Sequence, residues 1–231
     1  MTADPAILVM AKAPRPGQVK TRLAPMLGSD ACARLHEMLV ERTVALAVSV
    51  VAAATLLAFD PPDARDELAA LVPPAVKLVP QRGRHLGERL RAGVADVFAA
   101  HAGPVLVVGT DIPMLGARHL CHALGRLDAG DEDDVVLGPA RDGGYYLAGM
   151  NRLQASLFDI APALWGGPRV LSASVAAARA AGLRVGLLEV LADLDTPADA
   201  VALAAEPALP AQVRALLRGP LAVLPGAFSR G

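Results

Sequence analysis

Little in this chain points outward to a membrane, to nucleic acid or to an oxidising compartment. Its two cysteines, Cys32 and Cys121, lie far apart and match no zinc or redox spacing. They leave one disulfide open, but free, buried thiols in a reducing cytoplasm are the expectation. The formal net charge of −1 exerts no global pull on nucleic acid or on an anionic membrane, so any basic site must be local. The first residues, Met1-Thr-Ala-Asp-Pro5, lack the positive region of a secretory signal. The longest apolar run, 43–59, falls short of the roughly 20 residues a spanning helix needs and is interrupted by Thr43, Ser49 and Thr55. No internal repeat is evident. A cytoplasmic protein without membrane insertion is the expected class.

What is present suits one folded unit. A length of 231 residues with 54% hydrophobic content is enough for a single α/β domain over 1–231 with a sizeable core, and argues against disorder. Apolar runs alternate with helical patterns, the signature of β-α-β units and a mostly parallel sheet. Strands are expected at 6–11, 50–59, 76–80, 104–108, 135–137 and 183–190. Helices are expected from Ser29 and Asp30 through Leu35, Leu39 and Val44, at 64–71, through Val94 and Phe98, and at 170–181. A terminal helix and a trailing arm are expected from Glu206 onward.

The first strand runs into a basic loop, Lys12 to Leu23, that carries Lys12, Arg15, Lys20 and Arg22. Pro14, Pro16 and Gly17 forbid regular helix there, because proline supplies no N–H and glycine favours positive φ. In open α/β sheets ligands bind at the carboxyl ends of the strands. Four cations in a restrained loop at that position suit a polyphosphate; the ordinary alternative is a solvated loop. Val19-Lys20-Thr21 resembles the end of a P-loop, but Val19 and Arg15 stand where that motif needs glycine. The Rossmann glycine pattern is missing here too.

Other stretches add to this site. Gln81-Arg-Gly-Arg-His-Leu-Gly-Glu-Arg-Leu90 opens a helix with polar residues, and Gly83 and Gly87 are expected to keep its start irregular. Gly109-Thr-Asp-Ile-Pro113 puts Asp111 at the end of a buried strand. Mg²⁺ and Mn²⁺ take oxygen ligands and are commonly held by one or two carboxylates plus substrate phosphates. Asp111 fits that role, against the alternative of a turn cap. Gly138-Pro-Ala-Arg-Asp-Gly-Gly-Tyr-Tyr-Leu147 holds the chain's only two tyrosines beside Asp142. It reads as a hairpin tip or, favoured by that concentration, a pocket wall. Trp165-Gly-Gly-Pro168 is a loop. Asp193-Leu-Asp-Thr-Pro197 is a helix start whose D-x-D pair could also hold a divalent ion. His119 and His122, three apart, are read as residues of a surface helix, and Asp131 to Asp134 as a solvated acidic loop.

Five ordered blocks, Lys12-x-Pro-x-Pro-Gly-x-x-Lys-Thr-Arg-Leu23, Gln81-x-Gly-x-x-Leu-Gly-Glu-Arg89, Gly109-Thr-Asp-Ile-Pro113, Gly138-Pro-Ala-x-Asp-Gly-Gly-Tyr-Tyr-Leu147 and Asp193-x-Asp-Thr-Pro197, resemble a bacterial family of glycosyltransferase-like proteins. Its members are described as radical-SAM/selenoprotein-associated transferase 1 or arsenosugar-biosynthesis glycosyltransferases. The resemblance implies the GT-A, nucleotide-diphospho-sugar transferase fold, shared with guanylyltransferases and sugar-phosphate nucleotidyltransferases. One departure is Gly166-Gly167, where the family tends to have Ser-Thr after the tryptophan.

The expected activity is metal-dependent sugar transfer from a nucleotide-diphosphate sugar to a small acceptor. Lys12, Arg15, Gly17, Lys20, Thr21, Arg22, Gln81 and Gly83 would bind the nucleotide and its phosphates. Asp111 and Asp195 would hold Mg²⁺ or Mn²⁺. Asp142, Lys20 and Arg22 would act in catalysis, and Gly143, Gly144, Tyr145, Tyr146 and Trp165 would line the sugar and acceptor pocket. Two other readings are nucleotidyl transfer from a nucleoside triphosphate with release of pyrophosphate, and a non-catalytic nucleotide-binding module.

Overall fold

A continuous apolar segment makes the centre of a sheet when both of its faces are covered. In the computed structural model, Ala6–Lys12 forms such a strand, β1, with Ala6 to Val9 fully buried. The structure describes residues 4–50, 54–128 and 133–222, the last four by backbone alone. After β1 come the basic loop, a short 3₁₀ turn at Thr21–Leu23, and helices α1 (Ala24–Leu27) and α2 (Ser29–Val50). Then follow β2 (Ala54–Asp60), α3 (Arg65–Ala69), β3 (Lys77–Pro80), α4 (Leu86–Ala100), β4 (Val105–Gly109), α5 (Ala117–Asp128), β5 (Val135–Pro139) and β6 (Tyr145–Met150). The described chain ends with α6 (Val170–Ala180), β7 (Val185–Leu187), α7 (Pro197–Ala204) and α8 (Ala211–Ala222).

One seven-stranded sheet runs in the order β3-β2-β1-β4-β6-β5-β7. Every pairing is parallel except those of β6, which lies antiparallel to both β4 and β5. The fold is thus a single α/β domain with a mostly parallel sheet flanked by helices, as expected.

Side-chain alternation splits the strands between two cores. Ile7, Val9 and Ala11 of β1 pack with Val40 and Val44 of α2 and Leu120 and Ala123 of α5. Ala6 and Leu8 face Leu90, Val94 and Val97 of α4 and Ala178 of α6. A third cluster joins Leu23, Leu35 and Leu39 to Leu194, Leu203 and Val213, which fastens α7 and α8 over α2.

The strand expected at 183–190 is confined to Val185–Leu187. It is an edge strand, and Leu187 and Val190 stand exposed. Gly87 does not keep its segment irregular but lies in the first turn of α4. A Cβ there would come within 2.4 Å of the Trp165 indole nitrogen, so glycine makes room for the ring. In the expected solvated acidic loop, Asp133 is instead buried against Arg126 at 2.6 Å and Asp134 pairs with Arg184 at 3.1 Å. Asp131 and Glu132, the start of the second expected strand at 51–53, and the arm beyond 222 lie outside the described residues. Both cysteines are free thiols, Cys32 buried and Cys121 exposed against expectation. No helix among the described residues is long and apolar enough to cross a membrane.

Candidate active site

The sheet's connectivity reverses at β1. The chain moves from β1 out to β2 and β3 on one side, and β4 takes up the other side. The crevice beyond the carboxyl ends of β1 and β4 is therefore a topological switch point, where open α/β sheets bind ligands. A cavity of about 550 Å³ occupies it. One end of the cavity is charged, with Lys12, Lys20, Asp111, Asp142, Asp193 and Asp195. The other is largely apolar, with Met10, Leu86, Leu90, Val107, Tyr145 and Trp165.

The charged end is assembled from three distant stretches. Lys20 sits where the basic loop enters its 3₁₀ turn, in a left-handed backbone conformation with φ of +50°. Its side chain is 2% exposed and its ammonium donates to Asp111 Oδ1 and, at 2.7 Å, to Asp195 Oδ1. The Leu194 amide donates to the Asp111 carbonyl at 3.0 Å, which ties the Asp193–Asp195 segment to the end of β4. Asp195 is held in turn because its segment leads into a capping box: Thr196 and Asp199 satisfy each other's backbone amides at the start of α7. Burial pulls the Lys20 pKa down, but the charges of Asp111 and Asp195 outweigh it and leave the ammonium more firmly protonated than usual. Asp111 shows the mirror effect: burial pushes its pKa up, Lys20 pulls it down, and the net direction is down. Asp193 goes the other way, raised by burial and then by Asp142, Asp199 and Asp195.

His36, which sequence reasoning missed, lines the same cavity from α2. It is 5% exposed and its Nε2 lies 3.1 Å from the Lys12 carbonyl. A carbonyl only accepts, so Nε2 carries the proton and Nδ1 is a bare acceptor, buried and without a partner among the described residues. Burial lowers the His36 pKa most; Asp111 pulls it back up and Lys20 pushes it down further. The available signal was its spacing with Cys32, Leu35 and Leu39 on the buried stripe of the helix.

The remaining expected site residues divide. Lys12, Thr21, Gln81, Gly144, Tyr145, Tyr146 and Trp165 line the cavity along with Lys20, Asp111, Asp142 and Asp195. The Gln81 amide group donates to the carbonyls of Ala11 at 3.1 Å and Ala58 at 2.9 Å, so its oxygen is the atom left for a ligand. Asp142 Oδ1 accepts from the Gly144 amide at 2.8 Å, which leaves its second oxygen uncommitted. The Tyr146 hydroxyl donates to the Glu189 carbonyl at 3.2 Å.

Five expected residues lie outside the cavity lining. Arg15 faces α3 and pairs with Glu67 at 2.6 Å and Asp63 at 3.1 Å. Arg22 is exposed. Gly17 and Gly83 serve backbone geometry at φ of +74° and +139°. Gly143, at φ of +89°, packs against the loop before α6, where a Cβ would lie 2.1 Å from the Pro168 carbonyl oxygen. Arg89, Asp193 and Leu86 are among the further residues that line the cavity. Arg89 is anchored by Asp60 at 3.0 Å. His119, expected on a surface, is buried and bonded to Glu189, whereas His122 is exposed.

Among the described residues no three His, Cys, Asp or Glu side chains gather into a metal cage. A divalent ion nevertheless fits the donor set, since two half-exposed carboxylates meet at one point of the cavity and a hard cation takes a pair of carboxylates plus substrate oxygens.

This sheet order, with its cavity at the switch point, defines the nucleotide-diphospho-sugar transferase fold. The chain belongs to a bacterial family described as "uncharacterized protein conserved in bacteria (DUF2064)", whose model matches residues 43–164. A crystal structure from Desulfovibrio desulfuricans G20, provisionally named a nucleotide-diphospho-sugar transferase, is 30% identical. It superposes with a TM-score of 0.85 over 95% of this chain and 96% of its own. Two more distant structures share the fold at 16% identity. CMP:2-keto-3-deoxy-manno-octonic acid synthetase complexed with CTP has a TM-score of 0.57 over 94% of this chain and 99% of its own. Glucosyl-3-phosphoglycerate synthase from Mycobacterium tuberculosis, with Mn²⁺ and UDP, has a TM-score of 0.55 over 94% and 80%. No curated protein matches the chain.

Proposed function

We propose that the protein transfers a sugar from a nucleotide-diphosphate sugar to a small acceptor. In this it would act as the transferases associated with radical-SAM/selenoprotein and arsenosugar systems that its motifs resemble. The observation that carries this reading is the convergence of Lys20, Asp111 and Asp195 at one point of the switch-point cavity. Cations beside carboxylates suit a diphosphate that arrives with a divalent ion. A Mg²⁺ or Mn²⁺ held by Asp111 and Asp195 would supply Lewis-acid stabilisation of the departing diphosphate.

The chain's own groups do the rest. Lys20 and Lys12 neutralise phosphate oxygens, and the Gln81 oxygen accepts from the nucleoside. The free oxygen of Asp142 orients and deprotonates the acceptor hydroxyl. Tyr145, Tyr146, Gly144 and Trp165 shape the sugar and acceptor end and exclude water there. Each well-placed electrostatic contact of this kind contributes a few kcal/mol to the transition state. Arg22 stands outside the lining, exposed on the same loop two residues after Lys20.

A second reading is nucleotidyl transfer, which the same cations and carboxylates would serve. The CTP-bound synthetase with the same fold favours keeping it in view.

A thermal-shift screen of UDP, GDP, CTP and their sugar conjugates, with and without Mn²⁺, tests the binding. A ligand at about 100 times its Kd stabilises by about 2.7 kcal/mol, a shift of about 5–10 °C for a chain of this size. No shift with any nucleotide sinks the reading. Release of nucleoside diphosphate marks sugar transfer and release of pyrophosphate marks nucleotidyl transfer. Binding without turnover across donors and acceptors marks a nucleotide-binding module.

A further inference from the structure

Among the described residues, Lys20 is the one non-glycine residue with a positive φ. Only asparagine, aspartate and glycine visit that region readily, so a lysine there carries local strain. The conformation turns the side chain inward. The ammonium is nearly sealed from solvent, while the Asp111 and Asp195 side chains it touches are 49% and 36% exposed. One buried cation thus backs two carboxylates whose outer edges face the cavity.

That arrangement has an electrostatic consequence. A divalent ion that takes the two carboxylates meets a resident positive charge behind them. It also strips a buried ammonium of both its partners, and an uncompensated buried charge is strongly disfavoured. The cost disappears if another anion reaches the ammonium at the same moment. A diphosphate in the cavity is such an anion.

We infer that Lys20 is a built-in counter-ion that keeps Asp111 and Asp195 from holding a bare divalent cation and surrenders them only to a cation that arrives with a diphosphate. The species recognised is then the metal–diphosphate complex, and free metal followed by nucleotide is the disfavoured order. This rests on the reading of the cavity as a diphosphate site. It goes further in making the lysine the source of the coupling between metal and phosphate.

Mn²⁺ binding to the full chain, measured by the electron paramagnetic resonance of free Mn²⁺, tests it. The comparison uses wild type, Lys20→Met and Lys20→Arg, each with and without pyrophosphate. Lys20→Met keeps an unbranched side chain at the same φ and removes the charge. Where circular dichroism shows that variant unfolded, Lys20→Gly removes the charge and the backbone strain together.

The neutral variant is expected to bind Mn²⁺ alone at least tenfold more tightly than wild type, and Lys20→Arg to stay within threefold of wild type. Pyrophosphate is expected to tighten Mn²⁺ binding at least tenfold more in wild type than in Lys20→Met. Mn²⁺ binding to the neutral variant that is no tighter than to wild type overturns the counter-ion role, whatever nucleotides the protein binds. If the Mn²⁺ difference is found but neither pyrophosphate nor any nucleotide binds wild type, the counter-ion stands and the diphosphate reading falls.

Discussion

The two ends of the cavity are built on different principles. The charged end hangs from parallel strand ends, where Lys20, Asp111 and Asp195 are each fixed by backbone and by one another. The apolar end is walled by side chains of β1, β4, α4 and β6 together with Trp165, and is held mainly by packing. Among the described residues, the Trp165 indole nitrogen and the Ser174 hydroxyl are buried without a hydrogen-bond partner, as His36 Nδ1 is at the charged end, and the Tyr145 hydroxyl close to Ser174 lacks one in good geometry. The charged end is thus held by ion pairs, and the apolar end by packing.

Variants at each end sharpen or break this contrast. Asp111→Ala should lower turnover roughly 100-fold or more while the chain stays folded; steady-state rates with an identified donor would show it, and near-wild-type turnover would remove Asp111 from the mechanism. At the other end, Gly143→Ala forces a Cβ against the Pro168 carbonyl at positive φ. It should cost about 2–4 kcal/mol in urea unfolding and weaken the acceptor far more than the nucleotide. Equal weakening of both would show that the two ends are not separable.

The pH response of the charged end follows from His36. Its folded pKa is lowered by burial, so below about pH 6.5 the unfolded chain takes up a proton that the folded one refuses. Stability therefore falls as pH drops from 7 toward 5, by at most about 1.4 kcal/mol per pH unit from this group. His36→Gln, which keeps a donor for the Lys12 carbonyl, should flatten that slope in unfolding curves taken at each pH. The smallest effect is expected from Arg15→Ala. Its guanidinium is spent on Glu67 and Asp63, so nucleotide affinity by titration calorimetry should change less than twofold.

Much of the parallel half could be read from the chain alone, for a physical reason. A strand buried on both faces must be apolar throughout, so β1 and β4 announce themselves, and the polar residues that follow them fall at the crevice. Lys20 and Asp111 were legible on those grounds. What partner a charge meets across the fold was not. Arg15 looks equivalent to Lys20 in a basic loop, and only the placement of α3 gives it Glu67. His119 reads as a surface residue until Glu189 arrives from 70 residues away. Gly87 reads as a helix breaker because the ring that needs its missing Cβ is Trp165, remote in sequence. The antiparallel course of β6 follows from a tight turn at Asp142-Gly143-Gly144, a hairpin signal that was visible but set behind the pocket-wall reading; the segment is both.

Tyr145 and Tyr146 are neighbours in the chain yet lie on opposite sides of the sheet, one packed with the α4 and α6 layer and the other within the α2 and α5 layer. Both still border the cavity, because it opens where the sheet stops and the two layers come together. An occupant there touches the halves of the protein that the sheet otherwise keeps apart, as a rivet through two plates. Amide exchange in α2 and in α6 should then slow in concert when the cavity is filled, though neither helix touches the other's core.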